Sequence, residues 1–210
     1  MHQFPKHYRR AVHITCCASA LLTTSLLLGQ TPEKVSPAKS LDFTLSSLEK
    51  EMVPLAEAMP ADKYDFAPGP ELFKAGSTAN YKGVRTFAQT IAHVAQANFF
   101  FAVGVQGLRK PDDAMMARMG AIAKLTQKAE LVQALKDSFA ACHKAIATLT
   151  PENAWEQAGR NPDNTRAEQA IYTVAHARDH YGQLVEYLRM NGIVPPASEG
   201  RPLANPGKTN

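Results

Sequence analysis

Two histidines, His176 and His180, stand four residues apart in a segment whose apolar residues repeat with helical spacing. On a helix that separation puts both side chains on one face, a turn apart, with ring nitrogens able to reach a single ion. The residues between them are Ala177, Arg178 and Asp179. This is therefore not the H-E-x-x-H of zinc peptidases, in which a Glu follows the first His as general base. Leu184 and Leu188 continue the strip in steps of four and turn the pair inward. A third imidazole, His93, lies between Ile91 and Val94 in the most apolar stretch of the chain after its leader. A charged ring there is costly, so His93 is neutral and hydrogen-bonded, or it binds a metal. Three converging imidazoles would leave coordination positions open, as catalytic rather than structural metal sites do. Asp179 is the nearest carboxylate and the candidate catalytic proton acceptor, with a salt bridge at the rim as its alternative. Gln89, Gln96, Asn98 and Tyr172 are candidates for lining the pocket or hydrogen-bonding the imidazoles from behind, although ordinary surface or interhelical contacts are the preferred account of them. His143, beside the apolar stripe of its own helix, is placed on the surface.

The elements that must position these residues follow from periodicity. Apolar residues at Leu41, Leu45, Leu48, Met52, Val53 and Leu55 predict a first helix over 42–59. The prolines and glycines of 60–83 make a long crossover. A second helix over 84–107 carries Phe87, Ile91, Val94, Phe99 and Val105, its end loosened by Gly104 and Gly107. Pro111 and two aspartates open a short segment to about 124. A third long helix, capped by Thr126, bears Leu131, Leu135, Phe139, Cys142, Ile146 and Leu149. The last, 166–190, starts at Thr165 with Glu168 three residues on and stops at Asn191-Gly192 ahead of two prolines. No run alternates with a period of two long enough for a sheet. The expected fold is all-α: four amphipathic helices in a four-helix bundle with long crossover loops, its ligand site between facing helices.

Composition narrows the function. The chain has 210 residues, of which 45% are hydrophobic and 20% charged, which suits one globular domain. Cys16, Cys17 and Cys142 are too few and too badly spaced for a disulfide scaffold or a thiolate zinc site, so a metal must be held by His and carboxylates. Of the 23 Lys and Arg, Lys6, Arg9 and Arg10 sit in an N-terminal segment without acids, leaving 20 against 19 Asp and Glu elsewhere. The net charge of +4 is therefore an N-terminal feature, and no basic stripe suggests nucleic-acid binding. Those three cations precede an uncharged run from Ala11 to Leu28, the order of a secretory signal; an uncleaved membrane anchor is the alternative. The expected organisation is a signal over 1–30, a linker over 31–40, the bundle over 41–197 and a tail over 198–210. The expected location is periplasmic or secreted, with no stable membrane insertion once the signal is removed.

The stretch Arg85-Thr86-Phe87-Ala88-Gln89-Thr90-Ile91-Ala92-His93 and the stretch from His176 through Asp179, His180 and Gln183 to Asn191-Gly192-Ile193-Val194-Pro195-Pro196 resemble the DinB-like superfamily. The resemblance spans roughly 41–197 and includes the connection from Asp62 to Pro68. It implies a four-helix bundle holding a divalent metal through one His of the second helix and an H-x-x-x-H pair of the fourth, here His93, His176 and His180. It is also similar to transferases and isomerases that use the metal to activate a low-molecular-weight thiol. Imidazole ligands suit zinc as the default ion, with nickel, copper, iron or manganese as alternatives. Two classes of function follow: a metal-dependent hydrolase or thiol transferase acting on a small molecule, or a non-catalytic metal- or partner-binding bundle. Exposed aromatics would permit a homodimer.

Overall fold

A computed structural model describes residues 34–72 and 74–200, and the helical unit begins at Ser36. The expected signal over 1–30 and the end of the tail, 201–210, lie outside the described residues. Within them the chain is all-α: α1 (Pro37–Ala58), α2 (Phe87–Val105), α3 (Asp113–Ile122), α4 (Lys128–Ile146) and α5 (Arg166–Met190), with three short 3-10 turns and no strand. One isolated bridge joins Gln157 to Thr165. No helix among the described residues is long and apolar enough to cross a membrane.

The helix ends show why these segments begin and stop where they do. α1 starts at Pro37 rather than at residue 42, because Ser36 accepts a hydrogen bond from the Lys39 amide and Pro37 occupies the first turn, where its missing N–H costs nothing. At α2 the Thr86 side chain accepts from the Gln89 amide while the Gln89 side chain accepts from the Thr86 amide, a complete capping box. The crossover then takes up two further first-turn donors: Phe87 N–H donates to Phe66 O at 2.9 Å and Ala88 N–H to Tyr64 O at 2.8 Å. The Tyr64 hydroxyl itself donates to Ala56 O at 2.6 Å, pinning the crossover to the end of α1. α4 begins after Gln127, whose side chain makes no capping bond, so Thr126 is not the cap. α5 has its expected ends. Thr165 accepts from the Glu168 amide, and Gly192, at φ 73°, closes the helix with Ile193 N–H donating to Leu188 O at 3.0 Å.

Each long helix buries one stripe. Leu45, Leu48, Met52 and Leu55 of α1, Phe87, Ile91 and Phe99 of α2, Leu131, Leu135 and Phe139 of α4, and Ala170, Ala177, Leu184 and Leu188 of α5 form one continuous core. α2 packs chiefly against α4 and α5, and α1 rests on the same two helices, while α4 and α5 meet only marginally. Sequence-adjacent α1 and α2 are thus separated by the other pair. Gly104 is not a loosening element. A Cβ there would lie 2.6 Å from Gln169 Oε1 and 2.7 Å from Gln169 Cγ, so its absence lets α2 press against α5. Gly107, at φ 84°, is the left-handed stop of α2.

His143 corrects its expected surface placement. It is half-buried between α4 and α1, with Nδ1 2.5 Å from Asp42 Oδ1 and Nε2 3.0 Å from Glu49 Oε2. Ionised carboxylates only accept, so both contacts are hydrogen bonds when both ring nitrogens carry protons. Burial pulls the imidazole pKa down, but the hydrogen bonds and charges of Asp42 and Glu49 outweigh it and raise the value above the usual range. A raised folded-state pKa adds stability that is present below the unfolded value and fades as pH rises through the folded one. The stability difference between wild type and His143→Ala is therefore larger at pH 6 than at pH 9, by no more than about 1 kcal/mol because the partners are partly solvated. Urea titrations of both proteins at the two pH values measure it; equal differences would contradict the bridge.

Candidate metal centre

His93 lies in α2 among Ile91, Ala92, Val94 and Ala95, all buried, so its ring is carried into the gap between α2 and α5. His176 and His180 enter the same gap from α5, on either side of the fully buried Ala177. The three residues predicted from spacing therefore meet. One nitrogen from each ring lies within 4.8 Å of the others, and His93 Nε2 is 3.1 Å from His176 Nε2. The ring centroids are 4.6 to 4.9 Å apart, and all three rings meet edge to face.

The donor set suits a divalent ion. Two nitrogens each about 2.0–2.1 Å from one cation are separated by about 2.9 to 3.4 Å for angles between octahedral and tetrahedral, which brackets the His93–His176 spacing. Electrostatics favour the unprotonated form of His176 and His93. Burial pulls His176 down to about 4, helped by His180 and His93 and opposed by Asp179. Burial also lowers His93, with added repulsion from Arg85 and His180. Neutral imidazoles keep the lone pairs a metal requires.

His180, only 7% exposed, is oriented from behind. Its Nδ1 donates to Gln183 Oε1 at 3.0 Å, and Gln183 Nε2 donates to Asp179 Oδ2 at 3.0 Å. This relay fixes the tautomer that leaves Nε2 of His180 with a free lone pair. His176 has no such support: its buried Nδ1 lacks a hydrogen-bond partner among the described residues. Asp179 is exposed, and its carboxylate reaches His180 through Gln183.

The other candidates behind the imidazoles separate. Gln89 caps α2, Gln96 donates to Met119 O of α3 at 2.9 Å, and Asn98 donates to Ser138 Oγ of α4 at 3.1 Å, so the hydrogen bonds of these side chains go elsewhere than to the rings. Tyr172 does approach, stacking on Phe101 with centroids 6.0 Å apart, while Phe101 lies edge-on to His176 at 5.7 Å. Of the Phe99–Phe101 run, Phe99 is core, and Phe100 and Phe101 face a cavity of about 340 Å³ that reaches His176. The rest of its lining comes largely from the loop before α5, including Arg160 and Asn164. Sequence reasoning missed Gln183, whose signal was its place one helical turn after His180, and missed the loop wall, which has no sequence signal of its own.

A family model described as the DinB superfamily matches residues 44–184, a span that contains all three histidines and Gln183. No curated protein matches the chain.

Proposed function

The chain belongs to the DinB superfamily, and from that premise we propose that it is an exported four-helix bundle in which His93, His176 and His180 hold one divalent ion, zinc by default, for metal-dependent chemistry on a small molecule. The observation that carries this reading is the convergence of three imidazole nitrogens within 4.8 Å beside an aromatic-walled cavity. The four long helices, with α1 and α2 on one diagonal and α4 and α5 on the other, support the bundle. Export is supported by the order of cations and apolar residues in 1–30.

A bound ion of this kind lowers the pKa of coordinated water toward neutrality or polarises a carbonyl or thiol. The protein's own share is orientation and exclusion. Gln183 fixes the His180 ring. Burial and Arg85 disfavour protonation of His93, and the Phe101 ring packs edge to face against His176. Asp179 acts through Gln183 as a positioning residue, and being exposed it is also the nearest group able to accept a proton at the rim. The cavity favours a hydrolase or thiol transferase over a purely structural ion, because a structural site closes its coordination sphere with protein ligands.

Elemental analysis of protein purified without chelators is expected to give about one divalent ion per chain. A panel of esters, amides and thiol–electrophile pairs is expected to show a turnover that chelation abolishes and added zinc restores. Protein that neither retains nor takes up a stoichiometric ion would end this reading.

A further inference from the structure

The cavity beside His176 has a composition of its own. Three of its walls are the rings of Phe100, Phe101 and Tyr172. Its floor carries Gln169, which is only 4% exposed. The Gln169 side-chain amide makes no hydrogen bond among the described residues, and it is not among the buried polar atoms sealed from solvent. A polar group that deep, unpartnered and open to a cavity is expected to meet a ligand or water there. At the mouth stands Arg160, its guanidinium carbon 6.0 Å from the Phe100 ring centroid, with no carboxylate partner among the described residues.

We propose that this cavity binds a flat, single-ring aromatic carboxylate, with the ring between the Phe100, Phe101 and Tyr172 side chains, the carboxylate on Arg160 and a polar ring substituent on the Gln169 amide. Aromatic walls favour a planar π face through offset or edge contacts. A guanidinium offers a carboxylate a fork of N–H donors, and near an apolar wall that pairing is less screened than in open water. The volume, about 340 Å³, lies at the small end of ligand sites and suits one ring rather than an extended chain. The inference rests on the metal reading only in that His176, which lines this cavity, would then put the ion within reach of the bound molecule.

The test is titration calorimetry of the zinc-loaded protein with 4-hydroxybenzoate, 4-hydroxybenzyl alcohol, benzoate and cyclohexanecarboxylate, with metal content measured on the same samples. The expected order has 4-hydroxybenzoate tightest and cyclohexanecarboxylate weakest. Arg160→Ala is expected to weaken 4-hydroxybenzoate about tenfold and to leave the neutral alcohol unchanged. Gln169→Leu is expected to remove the advantage of 4-hydroxybenzoate over benzoate, with the melting temperature of each variant recorded to exclude unfolding. Failure of 4-hydroxybenzoate to bind, equal binding of cyclohexanecarboxylate, or indifference to Arg160→Ala in a folded variant would overturn the proposal. Arg160-dependent binding by protein that takes up no metal would leave this inference standing and remove the metal reading; a stoichiometric ion with no aromatic acid bound would do the reverse.

Discussion

His176→Ala is expected to abolish metal retention, with the ion content falling from about one per chain in the wild type to below about a tenth. Loss of an outer hydrogen-bonding partner of a ligand commonly costs 10- to 100-fold in metal affinity, and loss of a ligand costs at least as much. The metal-free fold changes little, because the ring removed is only half-buried and its inner nitrogen, Nδ1, makes no hydrogen bond. The two effects separate in thermal melts. An ion at about a thousand times its dissociation constant stabilises the native state by about 4 kcal/mol. For a domain of this size that corresponds to about 8–16 °C. Added zinc is therefore expected to raise the wild-type melting temperature by about 10 °C and that of His176→Ala by less than about 2 °C. A variant that keeps its ion, or shows the full wild-type shift, refutes the shared site. Activity lost with the metal-free melting temperature unchanged assigns the loss to the ion rather than to misfolding, whereas a large fall in that temperature would mean that the His176 ring itself helps to hold the fold.

The second large effect concerns Arg166, at the first position of α5 and 9% exposed. Its Nε donates to Val105 O at 2.9 Å, its Nη2 to Thr148 Oγ1 at 3.0 Å, and its Nη1 pairs with Glu156 at 3.3 Å. One guanidinium thus joins the end of α2, the second residue after α4, and the loop that walls the cavity. Charged hydrogen bonds contribute about 1.5–3 kcal/mol each, and truncation leaves the Val105 carbonyl without this donor. The Glu156 contact adds little, since that carboxylate is mostly solvated. Arg166→Ala is expected to cost about 3 kcal/mol, a fall of about 6–12 °C in melting temperature. Glu156→Gln is expected to cost under about 1 kcal/mol. Denaturant titrations of the two variants check the ranking; similar losses would mean that the ion pair, not the buried bonds, dominates.

The parts of this architecture legible in sequence are those whose physics is local. α5 could be read to the residue because Thr165 and Asn191-Gly192 are themselves the groups that satisfy its terminal amides and carbonyls. His176 and His180 were legible because a four-residue step means one face on any helix, and His93 because an imidazole amid apolar neighbours must be explained. The start of α1 was hidden because Ser36-Pro37 reads equally as linker and as cap. His143 was misplaced because its partners, Asp42 and Glu49, lie far back along the chain, and nothing beside it announces them. Gly104 read as a weak point for the same reason, since the side chain it makes room for, Gln169, belongs to another helix.

The imidazole of α2 and the pair on α5 are far apart in the chain, with His176 83 positions after His93. A nascent or truncated polypeptide that ends before α5 would carry only one of the three candidate imidazoles, His93. Under the proposed metal reading, loading would be a terminal event in maturation, and the ion acquired would be whichever is exchangeable in the compartment where the polypeptide finishes folding.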